Sequence, residues 1–248
     1  MPRTHKSLPR VFVTAPLAGG VRVELDRDHA NHLVNVLRLK AGDAAVLFNG
    51  RDGAWLATIV EADRKGALLE VSEQAAPQTA PSGLWFGFAP LKVGRLDYLV
   101  QKATEMGAGT IQPVITRFTQ ARTRPDKLEA YALEAAQQCE VLTLPVLAPE
   151  TSLAALLGGW RQTHGPRRLV LADEAAASAS PVETIAGLRG LPVGVLVGPE
   201  GGFADEERET LLAQDFVVPI SLGPRILRAD TAAVAALALI QAIIGDWR

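Results

Sequence analysis

The chain has 248 residues, of which 48% are hydrophobic and 21% charged, and its formal net charge is −2 at pH 7. This length allows one large domain or two small ones, and the apolar content with low net charge excludes disorder as the main state. The most apolar run, residues 229–245, is interrupted by polar residues and is too short to span a membrane. Arg3 and Lys6 are not followed by an apolar stretch, as a secretory signal would require, so we expect a cytoplasmic protein.

Cysteine and histidine usage argues against a metal centre. The single cysteine, Cys139, excludes an internal disulfide framework and a cysteine-based zinc site, and its apolar neighbours predict a buried small hydrophobic residue. His29 and His32 share a predicted helix face, but no third ligand is evident. We therefore predict that the protein binds no metal.

Residues 1–73 have the pattern of a small all-β domain. Short apolar runs at residues 11–13, 21–25, 44–49, 54–60 and 67–71 predict strands, because glycine-containing turn signals separate them. One helix, at about residues 29–37, interrupts the strands. Closely spaced strands of this kind favour a small β-barrel. Residues 74–83 contain two prolines and no charge, which predicts a linker.

From residue 84 to residue 248 the hydrophobic period changes. Strands are predicted at 84–90, 110–116, 168–173, 193–198 and 217–221, and helices at 96–106, 127–139, 181–188, 204–213 and 230–244. Strands that alternate with helices predict an α/β domain with a largely parallel sheet. Functional residues in such a domain are expected in the loops at the carboxyl ends of the strands.

The strongest candidate is the segment VGPEGGFADEE, residues 197–207, between a predicted strand and a helix. Gly198, Gly201 and Gly202 allow a sharp turn and a close approach of backbone to ligand. The acidic residues after Ala204 suit the first turn of a helix, which is a structural role. The spacing is neither that of a Walker loop nor GxGxxG, so a tight strand–helix turn and a binding loop remain equally good interpretations.

Two further strand ends carry charged residues. In SLGPRILRADTA, residues 221–232, Arg225 and Arg228 could hold a phosphate or lie beside a reacting group, or could pair with acids of the helix at 205–209. Asp230 could cap the last helix. The third segment, LADE at 171–174, is more often an acidic loop start than a catalytic element when considered alone.

Four segments together resemble a known family. GRLDYLVQKATEMGAGTIQPVITRF (94–118), EAAQQCEVLTLP (134–145), LVGPEGGFADEE (196–207) and SLGPRILRADTA (221–232) are similar, in order and spacing, to the RsmE-type 16S ribosomal RNA uridine-N3 methyltransferases of the SPOUT class. PRVFV (9–13) and HLVNVLRLKAGD (32–43) resemble the PUA-like RNA-binding domain of that family. Two positions depart from it: Glu140-Val141 stands where relatives often have Gly-Arg, and Asp230 where Glu is more usual.

The resemblance implies a fold, a cofactor and partners. The domain at 84–248 would form a trefoil knot that binds S-adenosylmethionine, and the protein would act as a homodimer on 16S ribosomal RNA or the small ribosomal subunit, which fits the apolar helix at 232–244. The implied cofactor-binding residues fall in three segments: Leu171, Ala172, Asp173 and Glu174; Val197, Gly198, Pro199, Glu200, Gly201 and Gly202; and Leu222, Gly223, Ile226, Leu227 and Arg228.

Catalysis and RNA contact are assigned to charged residues. Arg228 and Arg225 could stabilise negative charge on the uracil ring, and Glu200 could accept the N3 proton or orient the donor. The candidate RNA contacts are Arg10, Arg38, Arg117, Arg122 and Arg124. The alternatives are another SPOUT RNA methyltransferase (ribose 2′-O or tRNA base), a non-catalytic RNA-binding protein of the same architecture, and a phosphate-binding metabolic enzyme.

Overall fold

The computed structural model describes residues 8–63, 66–92, 94–176 and 180–247. Arg3 and Lys6 lie outside the described residues. The chain divides into two compact units. The first contains the chain up to Ala80 together with Ala136–Leu144, and the second contains Pro81–Ala135 and the chain from Pro145 onward. Within the described ranges, every helix is too short or too polar to cross a membrane.

The first unit is built around a five-stranded sheet. Its elements are β1 (Arg10–Phe12), β2 (Arg22–Leu25), α1 (Arg27–Asn31), β3 (Ala44–Phe48), β4 (Ala54–Ala62) and β5 (Ala67–Ala76). The strand order is β1-β3-β4-β5-β2, with β1 parallel to β3 and the other pairs antiparallel. The carboxylate of Asp26 caps α1 by accepting hydrogen bonds from the backbone N–H groups of Asp28 and His29. The helix continues as one wider π-helical turn, His32–Val36.

Both faces of this sheet are covered. Leu47 and Leu69 pack in a core on the α1 side, whereas Phe48 packs on the opposite face with Ala136 and Leu142. The segment Ala136–Leu144 therefore belongs structurally to the first unit, which the sequence pattern did not indicate. Strand β5 also extends three residues into the predicted linker, to Ala76. The domain boundaries at residues 73 and 84 stay a prediction.

The second unit is an α/β structure. Its elements are β6 (Trp85–Phe88), α2 (Leu96–Glu105), β7 (Thr110–Ile115), α3 (Pro125–Gln138), β8 (Val146–Leu147), β9 (Thr151–Ser152), α4 (Leu153–His164), β10 (Arg168–Ala172), α5 (Pro181–Ala186), β11 (Val193–Val197), α6 (Asp205–Leu212), β12 (Val217–Ile220) and α7 (Ala229–Ile243). Six parallel strands form a sheet in the order β12-β10-β11-β6-β7-β8, and β9 pairs with β7. The connection from β11 to β12 passes over β10.

Helices cover both faces of the parallel sheet. Phe86 and Val195 pack with Leu237 of α7 on one face, while Trp85 and its neighbours pack with Trp160 of α4 on the other. Burial on both faces explains why these strands are uniformly apolar rather than alternating. The predicted α/β class with a parallel sheet is thus confirmed.

Three local predictions are corrected. Helix α4 was not predicted, although the hydroxyl of Ser152 caps it by accepting from Ala155 N; the adjacent glycines Gly158 and Gly159 obscure the helical pattern in the sequence. Cys139 follows the last residue of α3 and is exposed, so the prediction that it is buried was wrong. Asp230 lies inside the first turn of α7 rather than capping it, because the helix begins one residue earlier.

Candidate active site

The three sequence segments singled out above meet at one edge of the second unit. Because the strands are parallel, their carboxyl ends all lie at the same edge, and the order β12-β10-β11 places the three following loops side by side. We call these the β10 loop (residues 173–176), the glycine loop (198–204) and the β12 loop (221–228). They are separated by up to about 50 residues in sequence and are brought together by strand pairing alone.

The β10 loop is held by a buried carboxylate. Asp173 is 9% exposed, and its Oδ atoms accept hydrogen bonds of 3.1, 3.1 and 2.8 Å from the guanidinium of Arg208 in α6. Leu171 lies fully buried within β10, whereas Glu174 is exposed at the loop. Asp173 therefore fixes the loop through Arg208, and its role in cofactor binding stays a prediction. Arg208 was missed because nothing in the sequence links it to a residue 35 positions away.

The glycine loop makes the predicted tight strand–helix turn. A Cβ on Gly198 would lie 2.9 Å from the ring of Phe203, which leaves no room for a side chain. Gly202 has φ +72° and donates its N–H to the carbonyl of Pro199 at 2.9 Å, so the turn requires a left-handed residue there. Glu200 and Gly201 at the tip are exposed. Helix α6 then begins at Asp205, as predicted.

Glu207 ties the glycine loop to the loop after β7. Its carboxylate accepts hydrogen bonds from Ala204 N at 3.1 Å and from Arg117 N at 2.8 Å. The guanidinium of Arg117 lies 3.1 Å from Glu206 in the same helix. The predicted acidic first turn of α6 thus also positions a neighbouring loop.

The β12 loop presents two arginines to solvent. Arg225 and Arg228 are exposed, and Gly223 has φ +109°. Pairing of these arginines with the acids of α6 was one sequence interpretation. Among the residues that the structure describes, neither arginine forms an ion pair.

The remaining residues proposed for the cofactor occupy defined positions in these loops. Val197 ends β11 and is buried, as is Pro199, whereas Leu222 and Leu227 are half-buried and Ile226 is 83% exposed. Ala172 is the last residue of β10 and packs against the α7 side of the core.

Two grooves flank the glycine loop and the β12 loop. One, of about 640 Å³, is mostly apolar and runs from Leu222 and Gly223 along α7 to Trp247. The other, of about 650 Å³, is lined by Lys92, Arg95, Phe118, Gln120, Glu200 and Gly201, from the loops that follow β6, β7 and β11. Both volumes lie in the range of about 300–1,000 Å³ that is usual for small-molecule sites.

The candidate RNA-contact arginines differ in their surroundings. Arg117, Arg122 and Arg124 are exposed but each forms an ion pair with an acid. Arg10 is half-buried in β1, its guanidinium lies 5.4 Å from the ring centroid of Phe48, and burial lowers its pKa although the charge of Glu140 opposes this. Arg38 is exposed and has φ +59°.

The histidine pair is not arranged as a metal site. His29 Nδ1 lies 2.7 Å from the carboxylate of Asp26. Within the described part of the chain, no three His, Cys, Asp or Glu side chains are grouped so that they could hold a metal ion.

A family described as RNA methyltransferase domain matches residues 78–241, which include the parallel sheet and its loops, and one described as RNA methyltransferase PUA domain matches residues 25–72 of the first unit. The chain is therefore an RNA methyltransferase with a PUA-type domain. The Ribosomal RNA small subunit methyltransferase E of Rickettsia conorii is 32% identical over 94% of each chain. The chain belongs to this methyltransferase E family, as the sequence motifs predicted.

Two solved structures resemble the chain over nearly its whole length. A protein from Legionella pneumophila, in complex with the bound cofactor SAM, is 28% identical with a TM-score of 0.80, covering 95% of this chain and 97% of that one. A Ribosomal RNA small subunit methyltransferase E from Neisseria gonorrhoeae, bound to S-adenosyl methionine, is 25% identical with a TM-score of 0.81, covering 97% and 100%. These likenesses confirm the predicted methyltransferase fold, and the family match at residues 25–72 confirms the PUA-like N-terminal domain.

Proposed function

We propose that the protein transfers a methyl group from S-adenosylmethionine to N3 of a uridine in 16S ribosomal RNA of the small subunit. The observation that carries this proposal is the convergence of the β10, glycine and β12 loops on adjacent parallel strands in a chain of this family. The names of its relatives, which include an rRNA small subunit methyltransferase bound to S-adenosyl methionine, support the substrate and the cofactor.

The three loops fit an adenosyl cofactor. A Cβ on Gly202 or Gly223 would meet no atom within 4 Å, so open space lies beside both backbones. Leu222 and Leu227 provide half-buried apolar surface in the β12 loop, in which Gly223 is exposed. Apolar walls with a few backbone polar groups are what an adenine ring and a ribose require. We therefore assign the cofactor to these loops, with Asp173 and Arg208 holding the β10 loop in place.

The methyl donor brings its own activation as a positively charged sulfur. The N3–H bond of uracil must break as the N3–CH₃ bond forms and the S–CH₃ bond breaks, so the protein has to accept one proton and stabilise the anionic ring. Glu200 is our proton acceptor, because its carboxylate is exposed at the tip of the glycine loop. Arg225 and Arg228, both outside ion pairs among the described residues, are our candidates for stabilising the negative charge or for holding an RNA phosphate.

We assign the initial binding of RNA to the domain at residues 1–73 and to a set of basic residues from both units. The candidates are Arg10, Arg38, Arg117, Arg122 and Arg124, of which exposed Arg38 is the best placed and half-buried Arg10 the least. Local cations rather than net charge would attract the phosphates. The proposed substrate, ribosomal RNA, supports a cytoplasmic location.

We further propose a homodimer that uses the outer face of α7. This face carries Ala235, Ala238 and Leu239 along the apolar groove, which ends at Trp247, 53% exposed. An apolar surface of this kind is typical of a contact with a second copy. Leu239→Arg should give a monomer by sedimentation, while Val146→Arg, at an exposed apolar position outside the groove, should leave the dimer intact. A wild-type monomer would refute the dimer.

The decisive test of the reaction is methylation of small ribosomal subunits from a strain that lacks this gene, with the product nucleoside identified by mass spectrometry. We expect 3-methyluridine in 16S rRNA. Methyl groups on ribose or on transfer RNA would favour another SPOUT reaction, and a failure to bind S-adenosylmethionine in calorimetry would favour a non-catalytic RNA-binding protein.

Arg228→Ala should lower kcat more than the affinity for S-adenosylmethionine, and an unchanged rate would remove its proposed role.

A further inference from the structure

The groove that contains Phe118 lies on the opposite side of the glycine loop from the proposed cofactor loops. In the sheet order β12-β10-β11-β6-β7, the loops after β12 and β10 lie on one side of the glycine loop, and the loops after β6 and β7 lie on the other. Glu200 and Gly201 belong to the glycine loop and line this second groove. A group bound there would face the cofactor across the glycine loop.

The side chains of this groove have the chemistry of a pyrimidine-binding site. Phe118 is a large aromatic residue left 44% exposed, and its Cβ and ring atoms lie 3.5 to 3.8 Å from the Cβ position of Gly201. Lys92 and Arg95 provide two cations, and Gln120 provides an amide that can donate to a carbonyl oxygen. Among the described residues, Lys92, Arg95 and Glu200 form no ion pair, unlike the three arginines at 117–124.

The chain on both sides of Phe118 is held by hydrogen bonds. Its neighbour Arg117 donates its backbone N–H to Glu207 at 2.8 Å, and the hydroxyl of Thr119 accepts a hydrogen bond from Thr116 N at 2.9 Å. These bonds position the backbone from which the exposed ring projects. A solvent-exposed aromatic residue on a fixed backbone is what base stacking requires.

We propose that this groove binds the extruded uracil, with Phe118 stacked on the base and Lys92 and Arg95 beside its carbonyl oxygens. This inference rests on the proposed function. It gives Phe118, Lys92 and Arg95 roles in that function that the sequence analysis did not assign to them. N3 lies on the Watson–Crick edge, so the base must leave its helix or be unpaired before it reacts. When the N3 proton passes to Glu200, the negative charge spreads onto the two carbonyl oxygens, where the cations stabilise it.

The stacking role is tested with unmethylated small subunits and S-adenosylmethionine. We expect Phe118→Leu to lower kcat/KM about 10-fold or more while the Kd for S-adenosylmethionine stays unchanged, and Phe118→Tyr to remain within about twofold of wild type. The matched control is Leu191→Ala, because Leu191 is 46% exposed and precedes β11 at the opposite edge of the sheet. Normal kcat/KM for Phe118→Leu, in a preparation where the wild type produces 3-methyluridine, would overturn the proposal.

The role of the cations is tested by Lys92→Gln and Arg95→Gln. We expect kcat to fall about 10-fold while KM changes little, because charge develops on the base only as the reaction proceeds. A rise in KM with unchanged kcat would indicate that both side chains contact the phosphates of the RNA instead of the base, and would overturn this assignment.

Binding of the base is also measured without catalysis. The fluorescence of Phe118→Trp should be quenched by a short RNA that contains unpaired uridine, but not by the same RNA with an abasic site. Equal quenching by both would overturn the stacking proposal. This readout does not depend on methyl transfer, so failure of the proposed reaction and failure of the uracil groove are distinguishable.

Discussion

The carboxylate of Asp173, at the end of β10, is held by the guanidinium of Arg208 in α6 through three hydrogen bonds. The contact joins two segments of the proposed cofactor site, because Asp173 begins the β10 loop and α6 follows the glycine loop. Asp173 is buried, whereas the side chain of Arg208 is 34% exposed, and the hydrogen bonds that Arg208 donates to Asp173 raise the pKa of Arg208. The pair therefore sets the positions of both loops before a ligand enters.

Removal of this pair should weaken both the fold and the cofactor site. Arg208→Gln leaves a buried carboxylate without its main partner, so we expect the free energy of unfolding to fall by about 1.5–3 kcal/mol. The Kd for S-adenosylmethionine should rise as well, measured by calorimetry. The matched control is Arg161→Gln, which breaks the exposed pair of Arg161 with Asp215 and should change stability far less, because water and salt screen exposed charges. Equal effects of both variants would contradict the positioning role of Arg208.

Gly223 should be required for its backbone conformation alone. Its φ of +109° is unfavourable for any residue with a Cβ, yet a Cβ there would meet no atom within 4 Å. Gly223→Ala should therefore lower the free energy of unfolding by about 1–2 kcal/mol and weaken S-adenosylmethionine binding, both measured on the purified protein. Gly83→Ala is the control, since that position also has open space around it but no left-handed backbone. It should be neutral or slightly stabilising.

His164 should make the protein less stable in mild acid. It packs 4.2 Å from the ring centroid of Trp160, and burial, followed by the charge of Arg167, lowers its pKa below the usual 6.5. Below pH 6.5 the unfolded chain binds a proton at this histidine more readily than the folded chain does. The contribution of neutral His164 to the free energy of unfolding is therefore complete above pH 6.5 and decreases as the pH falls below it. Urea unfolding at pH 7.5 and 5.5 checks this. The difference should shrink in His164→Gln, and an undiminished difference would assign the pH dependence to other groups.

Glu140 combines a strained backbone with a favourable charge. Its φ is +60°, a conformation that suits the glycine often found at this position of the family, while its charge raises the pKa of Arg10 against the effect of burial. Glu140→Gly should relieve the strain and raise the free energy of unfolding by up to about 1 kcal/mol. Glu140→Gln keeps the backbone strain and removes the charge, so it should be less stable than wild type. Urea unfolding of both variants and of the wild type measures these differences. A Glu140→Gly variant less stable than wild type would show that the loss of the charge outweighs the relief of backbone strain.

Much of the local structure follows from the sequence. Turn residues and apolar periods predicted every strand of the parallel sheet except the two-residue β8 and β9, because hydrophobic pattern and glycine turns act over a few residues. The sequence pattern did not predict helix α4, because Gly158 and Gly159 interrupt its apolar face. Its buried residues nevertheless keep helical spacing: Leu153, Leu156, Leu157 and Trp160. The sharp turn of the glycine loop was likewise predicted from its glycines, whereas the left-handed conformation of Gly202 is seen only in the structure.

The sequence alone determined the class of the domain, the three candidate loops and the family, since each depends on short motifs and local periodicity. Only the tertiary structure decided which side chains are free to bind and which are already engaged. Asp173 has the same acidic character in the sequence as Glu200, yet Arg208 occupies the first while the second faces a groove with Phe118. The reason is that such pairings depend on strand order, which brings together residues 35 to 90 positions apart.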